Sequence, residues 1–365
     1  MKYTGEFRKH IKEIFERKID IYDLYRHIEL ELTNKCGNAC FYCGVSESHN
    51  EGVCEIDFED LKEFLDKISF YYSAKNKRPV ISLAGGDPIL YANFDELVSY
   101  LKERNLLFTI KGNPSTINHG IVESLRNYDA VNVRFTCLGG RAVHDRIRGK
   151  DTTEELKSKT KLLKSDGIPV NWNLTVGNFN IESITDALPL VMGSEPDFVV
   201  IGRVARIGRL RHTEFSDITP LDYKKLLSTM LDFYYQNYRK GFRLGFKEKL
   251  WIPLLAEESL FDPEEYETGC PRLGCYAYGP QMLNVNHKGD IGLCGLMPCL
   301  KIGNVRDTDN LFHQLEDCRI LSPDASSPCH ICRYTNFCRG CRAMASANTG
   351  GLYNQDPQCW LETPL

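Results

Sequence analysis

The placement of cysteine constrains this chain more than any other feature. Of the fifteen cysteines in 365 residues, three fall between positions 36 and 43, ten fall between 270 and 359, and only Cys54 and Cys137 stand apart. The first thirty residues are charged throughout and lack the apolar core of a signal peptide, and no run of apolar residues is long enough to span a bilayer. A cytoplasmic location is therefore expected, and no membrane partner. In a reducing compartment, clustered thiols are read as metal ligands and not as a disulfide framework.

Between the two cysteine groups, short apolar runs alternate with longer segments of helical period. This is the pattern of repeated βα units on a parallel sheet. Strands are expected at 28–33, 80–85, 107–112, 130–137, 169–176 and 197–202, with helices at 58–75, 94–104, 118–127, 153–165, 181–192 and 220–238. The fold class is α/β: a partial (β/α)6 barrel over 27–245, preceded by a helical segment over 1–26 that packs on the barrel. From 264 to 365 the character changes to Gly, Cys and short strands, which marks a second, Cys-rich domain. The formal net charge is −4, so nothing draws the protein to a phosphate backbone, and nucleic acid is not an expected partner.

Directly after the first strand comes LTNKCGNACFYCG, in which Cys36, Cys40 and Cys43 are spaced CxxxCxΦC with Tyr42 as the aromatic Φ. Three thiolates on one loop can hold three irons of a [4Fe–4S] cube and leave the fourth open to an external ligand. A zinc site completed from elsewhere, with His49 as the nearest histidine, is the competing reading. The second strand runs into Gly85, Gly86, Asp87 and Pro88, and glycine permits close backbone approach. The loop and this GGDP turn together resemble the radical S-adenosylmethionine superfamily. That resemblance implies that the open iron is chelated by the methionine moiety of S-adenosylmethionine, whose reductive cleavage releases a 5′-deoxyadenosyl radical. It also implies cofactor contacts from Tyr42, the Gly85–Pro88 turn, Thr136 at the end of the fourth strand, and Arg148. Arg148 lies in a VHDRIRG segment similar to the HDxxRG of peptide-modifying members.

The second cysteine group resembles the SPASM extension of that superfamily, which carries two auxiliary [4Fe–4S] clusters. The resemblance implies one cluster on Cys270, Cys275, Cys294 and Cys341 and another on Cys329, Cys332, Cys338 and Cys359. Cys299 competes for a place in the first set, and two structural zinc sites on the same eight thiols remain the alternative. Cys54, Cys299 and Cys318 have no assigned role, and Cys137 reads as a small buried hydrophobe.

The resemblance implies hydrogen abstraction from an unactivated carbon. The ending CRGCRAMASANTGGLYNQDPQC is close to that of the quinone-cofactor and mycofactocin maturases, so a ribosomally made peptide is the first expected substrate, modified by crosslinking, oxidation or epimerisation. It is also close to the ending of enzymes that trim haem and haem d1 side chains, which makes a tetrapyrrole the second. A non-catalytic iron-sulfur carrier is the reading from another class. Gly295, where sulfatase-maturing relatives have an acidic residue after the aligned cysteine, argues against that activity. A reductant such as flavodoxin or ferredoxin is implied. For a peptide substrate, a separate peptide-recognition protein or a leaderless mode is expected, since the barrel begins by about residue 28. The catalytic acid or hydrogen donor is not legible.

Overall fold

The computed structural model describes residues 2–45, 52–266, 277, 282–298, 300–308, 311–316 and 327–362. Cys270, Cys275, Cys299, Cys318 and His49 lie outside them. The first half follows a βα rhythm: α1 Gly5–Leu24, β1 Tyr25–Glu31, α2 Phe58–Ser73, β2 Arg78–Ala84, α3 Phe94–Glu103, β3 Leu107–Lys111, α4 His119–Asn127 and β4 Asn132–Cys137. There follow α5 Arg141–Arg148, α6 Thr152–Ser165, β5 Val170–Val176, α7 Leu188–Ser194, β6 Phe198–Arg203, α8 Pro220–Asn237, β7 Leu244–Gly245 and α9 Trp251–Glu257. The Cys-rich part contributes β8 Met282–Val285, β9 Asp290–Gly292, β10 Lys301–Asn304, α10 Leu311–Glu316 and α11 Arg342–Thr349.

Strands β1 to β7 pair in parallel and in sequence order. The helices between them, α5 excepted, lay an apolar stripe on the sheet. In α2 the stripe is Leu61, Phe64, Leu65, Ile68 and Tyr72, and the Asp57 side chain caps the helix by accepting from the backbone N–H groups of Glu59 and Asp60. The expected helix over 181–192 is instead a 3-10 turn, Ile184–Ala187, followed by α7, with Pro189 in the first turn of the new helix. Helix α1 docks on the barrel through Tyr3, Phe7, Ile11 and Phe15, all buried at four-residue spacing, with Phe7 against Tyr234, Tyr235 and Tyr238 and Phe15 stacked on Phe246. No helix is long and apolar enough to cross a membrane among the described residues.

The Cys-rich segment shares the barrel's sheet. Strand β8 pairs in parallel with the free side of β1, and β9 and β10 add antiparallel to it, so the sheet runs β10-β9-β8-β1-β2-β3-β4-β5-β6-β7.

At the other end of the sheet, the chain's last turns are tied to the barrel by charge. Arg203, at the end of β6, forms a bidentate pair with Asp356 at 2.7 and 3.0 Å, and their side chains are 1% and 0% exposed. It also bonds Glu248 through Nε at 3.0 Å and Gln358 Oε1 at 2.8 Å. Asp356 in turn accepts from the backbone N–H of Cys341, at the head of α11, and from that of Gln358. The geometry is the planar fork that arginine provides and lysine does not. Removing one member of a buried pair leaves the other's charge stranded, at a cost of about 3–5 kcal/mol. Arg203→Met is expected to lower the thermal midpoint of unfolding sharply, and adding Asp356→Leu to recover part of the loss. An unchanged midpoint in the single variant would contradict this role.

Candidate cluster and cofactor site

The cysteine loop leaves the C-terminal end of β1 and is held by the turn that leaves β2. Gly86 donates its backbone N–H to Thr33 O at 2.6 Å, and Asp87 its N–H to Lys35 O at 2.8 Å. The two glycines are required by this clasp. Gly85 sits at φ +122°, where a side chain is strained, and a Cβ there would lie 2.4 Å from Thr33 O. A Cβ on Gly86 would lie 2.3 Å from Lys35 O and 2.7 Å from Asn34 C. The close approach read from the sequence as serving the cofactor is made first to the backbone of the cysteine loop itself.

Asp87 and Pro88 stand behind the glycines and do not line the cavity in front of them. Pro88 opens a 3-10 turn capped by the Asp87 carboxylate, which accepts from Ile89 N–H. The same carboxylate accepts from Asn113 Nδ2 at 3.1 Å and Thr116 Oγ1 at 2.9 Å, and burial pushes its pKa up against these bonds. Asn113, so fixed, donates to Cys36 Sγ at 3.4 Å and accepts from Arg148 at 2.7 Å. Asn113 thus joins the GGDP turn to the cysteine loop. It carries no motif, and only its position after β3 could have suggested it.

Arg148 reaches the same place from the far side. It is the last residue of α5, a helix not among those expected from the periodicity. Both ends of α5 are pinned by the HD of HDxxRG: His144, kept neutral by burial with its pKa lowered to about 4, accepts from Leu138 N–H through Nδ1 at 3.2 Å. Asp145 accepts from Thr153 N–H and Oγ1 at 2.7 and 2.6 Å. The guanidinium then donates to Cys40 Sγ at 3.3 Å as well as to Asn113 Oδ1. Tyr42 stacks on Phe179 at 22° with its ring centroid 5.7 Å away.

Cys36, Cys40 and Cys43, with Tyr42, Gly85, Gly86, Thr136 and Arg148, line one cavity of about 300 Å³ at the C-terminal ends of the strands. The Cys36 thiol is pushed up by burial, opposed by the N–H of Asn38 and the amide of Asn113. Lys111, Arg134, Asn173 and Lys247 line the cavity from within the barrel. None of these four was singled out in the sequence.

In the Cys-rich part, Cys329, Cys332 and Cys359 line a second cavity of about 350 Å³, with Cys338 within electrostatic reach of Cys329 and Cys359. Burial raises the thiols of Cys338, Cys332 and Cys359. Arg342, fully buried, donates to Cys329 Sγ at 3.4 Å. Cys294 opens on a third cavity of about 170 Å³ beside Glu31, Asn284 and His287. Cys341 begins α11, and Cys137 is buried at the end of β4. Among the described residues no three His, Cys, Asp or Glu side chains converge as a single metal ion requires. The grouped thiols face voids instead, and a void framed by thiols suits a multi-iron cube.

The clasp predicts an asymmetry between glycines. Gly86→Ala must push the Asn34–Lys35 backbone aside and is expected to destabilise the fold by about 1–3 kcal/mol, read as a lowered thermal midpoint. Gly112→Ala meets nothing nearer than the Ile110 side chain at 3.3 Å and is expected to leave the midpoint nearly unchanged. Equal effects would contradict the clasp.

Comparison with known proteins agrees with this geometry. Residues 30–188 match the model of the Radical SAM superfamily. The chain is 25% identical over 354 residues to an AdoMet-dependent heme synthase of Methanosarcina barkeri, covering 92% of this chain and 96% of that protein. It is 23% identical over 351 residues to the mycofactocin maturase MftC of Mycolicibacterium smegmatis, covering 90% and 81%. In fold it is similar to native anSMEcpe with bound AdoMet and Cp18Cys peptide, at a TM-score of 0.69 and 17% identity over 92% of this chain and 94% of that one. A radical SAM domain implies a [4Fe–4S] cluster and S-adenosylmethionine. Over residues 30–188, the protein thus carries the domain of a radical SAM enzyme.

Proposed function

We propose that Cys36, Cys40 and Cys43 hold the [4Fe–4S] cluster and that S-adenosylmethionine lies against Gly85, Gly86, Thr136 and Arg148. The observation that carries this reading is the meeting of the three thiols and these four residues, from four separate segments, on one cavity. When bound, the cluster and cofactor supply a 5′-deoxyadenosyl radical that takes a hydrogen atom from the substrate. The chain's own part is to seat the cysteine loop through the Gly85–Gly86 clasp, to direct N–H groups at Cys36 and Cys40 sulfur, and to hold the carboxylate end of the cofactor with the arginine fork. Asp87 and Pro88 act behind this surface, through Asn113.

Two auxiliary [4Fe–4S] clusters complete the assignment. Cys329, Cys332 and Cys359, which line one void, are assigned with the nearby Cys338 to one cluster, and Cys294 and Cys341, with Cys270 and Cys275, are assigned to the other. With all four protein ligands in place, each serves best as an acceptor of substrate electrons. The reductant is of the flavodoxin or ferredoxin kind, and the location is the cytoplasm.

The first substrate class is a ribosomally made peptide, supported by the maturase relative and by the peptide in the anSMEcpe structure. The heme synthase relative, matched over 96% of its length, favours a tetrapyrrole as the second. Product analysis separates the two: a peptide whose mass is changed by crosslinking or oxidation, or whose stereochemistry alone is changed by epimerisation, or a tetrapyrrole that has lost carbon dioxide and hydrogen from a propionate, its electron passing to an auxiliary cluster.

Reduced, reconstituted protein given S-adenosylmethionine without oxygen is expected to form 5′-deoxyadenosine. The Cys36→Ala/Cys40→Ala/Cys43→Ala variant is expected to form none and to lose about four of about twelve irons per chain, the content of one cube in three. Product formation by that variant, or none by the parent, would remove the assignment.

A further inference from the structure

The barrel interior carries more positive charge than its own residues neutralise. Lys111 and Arg134 are register partners on β3 and β4, and Lys247 follows β7; all three line the same cavity as the cysteine triad. Lys111 is ion-paired with Glu29 of β1. Arg134 and Lys247 make no side-chain hydrogen bond or ion pair among the described residues, and Arg134 Nε is buried with no partner at all. Of the other carboxylates nearby, Glu248, whose charge also acts on Lys247, is bonded to Arg203, and Glu31 accepts from Asn284 on the neighbouring strand, with burial beside Glu29 pushing it up to about 8, so it is mostly uncharged at neutral pH. Lys247, lowered to about 8 by burial and by Lys111 and Arg134, still carries its proton at neutral pH. Like charges are thus gathered in a pocket with too few counter-charges, and desolvated cations are stable only when something anionic completes them.

The cofactor's own carboxylate does not meet that need. Thr136 stands near the C-terminal end of β4 and Arg148, from α5, reaches the cysteine loop, whereas Arg134 lies earlier on β4, one inward-facing position further down the barrel. We infer that Arg134 and Lys247 form a carboxylate-binding subsite that anchors an acidic group of the substrate below the cofactor. The arginine fork takes the carboxylate bidentately and Lys247 adds a point charge. The inference rests on the radical SAM assignment of the cavity and deepens it: whichever substrate class is right, the substrate enters carboxylate first. A tetrapyrrole would supply a propionate, a peptide its C-terminus or an acidic side chain.

Binding tests this without turnover, which separates it from the 5′-deoxyadenosine assay of the parent protein. Full-length holoprotein saturated with S-adenosylmethionine is titrated with coproporphyrin III and its tetramethyl ester, followed by the Soret band. It is also titrated calorimetrically with N-acetyl-Ala-Tyr-Ala as the free acid and as the amide. At least one free acid is expected to bind tenfold or more tightly than its neutral partner, and the arm that shows the preference identifies the source of the carboxylate. Arg134→Met and Lys247→Met are each expected to cut that preference to threefold or less, with Arg134→Lys retaining part of it and with thermal midpoints near the parent's. Equal binding of acid and neutral forms, no binding of either acid, or a preference unchanged in both methionine variants would overturn the subsite.

Discussion

The cysteine loop has no secondary structure of its own, and its position depends on the clasp between the end of β1 and the turn after β2. Two N–H donors from Gly86 and Asp87 meet carbonyls of Thr33 and Lys35, and both glycines are packed so closely that a methyl group would collide with backbone. Backbone-to-backbone contact of this kind cannot be relaxed by a rotamer change. From it the rest of the site is built outward: Asp87 fixes Asn113, Asn113 reaches Cys36 and Arg148, and Arg148 reaches Cys40.

The Cys-rich part relates to this centre through two different physical links. Strand β8 continues the sheet beyond β1, so the Cys294 cavity and the triad cavity lie on either side of the strand carrying Glu29 and Glu31. At the far edge, Arg203 and Asp356 close the other contact by charge, and Asp356 also holds the backbone of Cys341. Three thiol-bearing regions are thus held against one continuous sheet.

The sequence was legible where the physics is local. Six strands were found within a few residues because parallel strands packed on helices keep an apolar face, as in Ile28, Leu30 and Leu32 or Phe135 and Cys137. Helix α5 was missed because RAVHDRIR is short and buries only His144; it is fixed by His144 and Asp145 bonds to residues outside it. Strands β7 to β10 are two to four residues long and exist through pairing with distant partners. The Arg203–Asp356 pair spans 153 residues and leaves no local trace. The charged lumen did leave one. Glu29 and Glu31, Lys111, and Arg134 interrupt strands that helices cover on one side, and in a parallel barrel the other face of such a strand points inward. Alternation that would mean solvent in an open sheet means a polar interior here.

The central claim is that the loop at 36, 40 and 43 carries a cube with one iron left for the cofactor. The most direct measurement is electron paramagnetic resonance of the reduced, anaerobic protein before and after S-adenosylmethionine is added. The account predicts that one of the cluster signals changes its g values on addition, and that this signal alone is missing from Cys40→Ala. A spectrum indifferent to the cofactor, or zinc bound by those three thiols in place of iron, would contradict it.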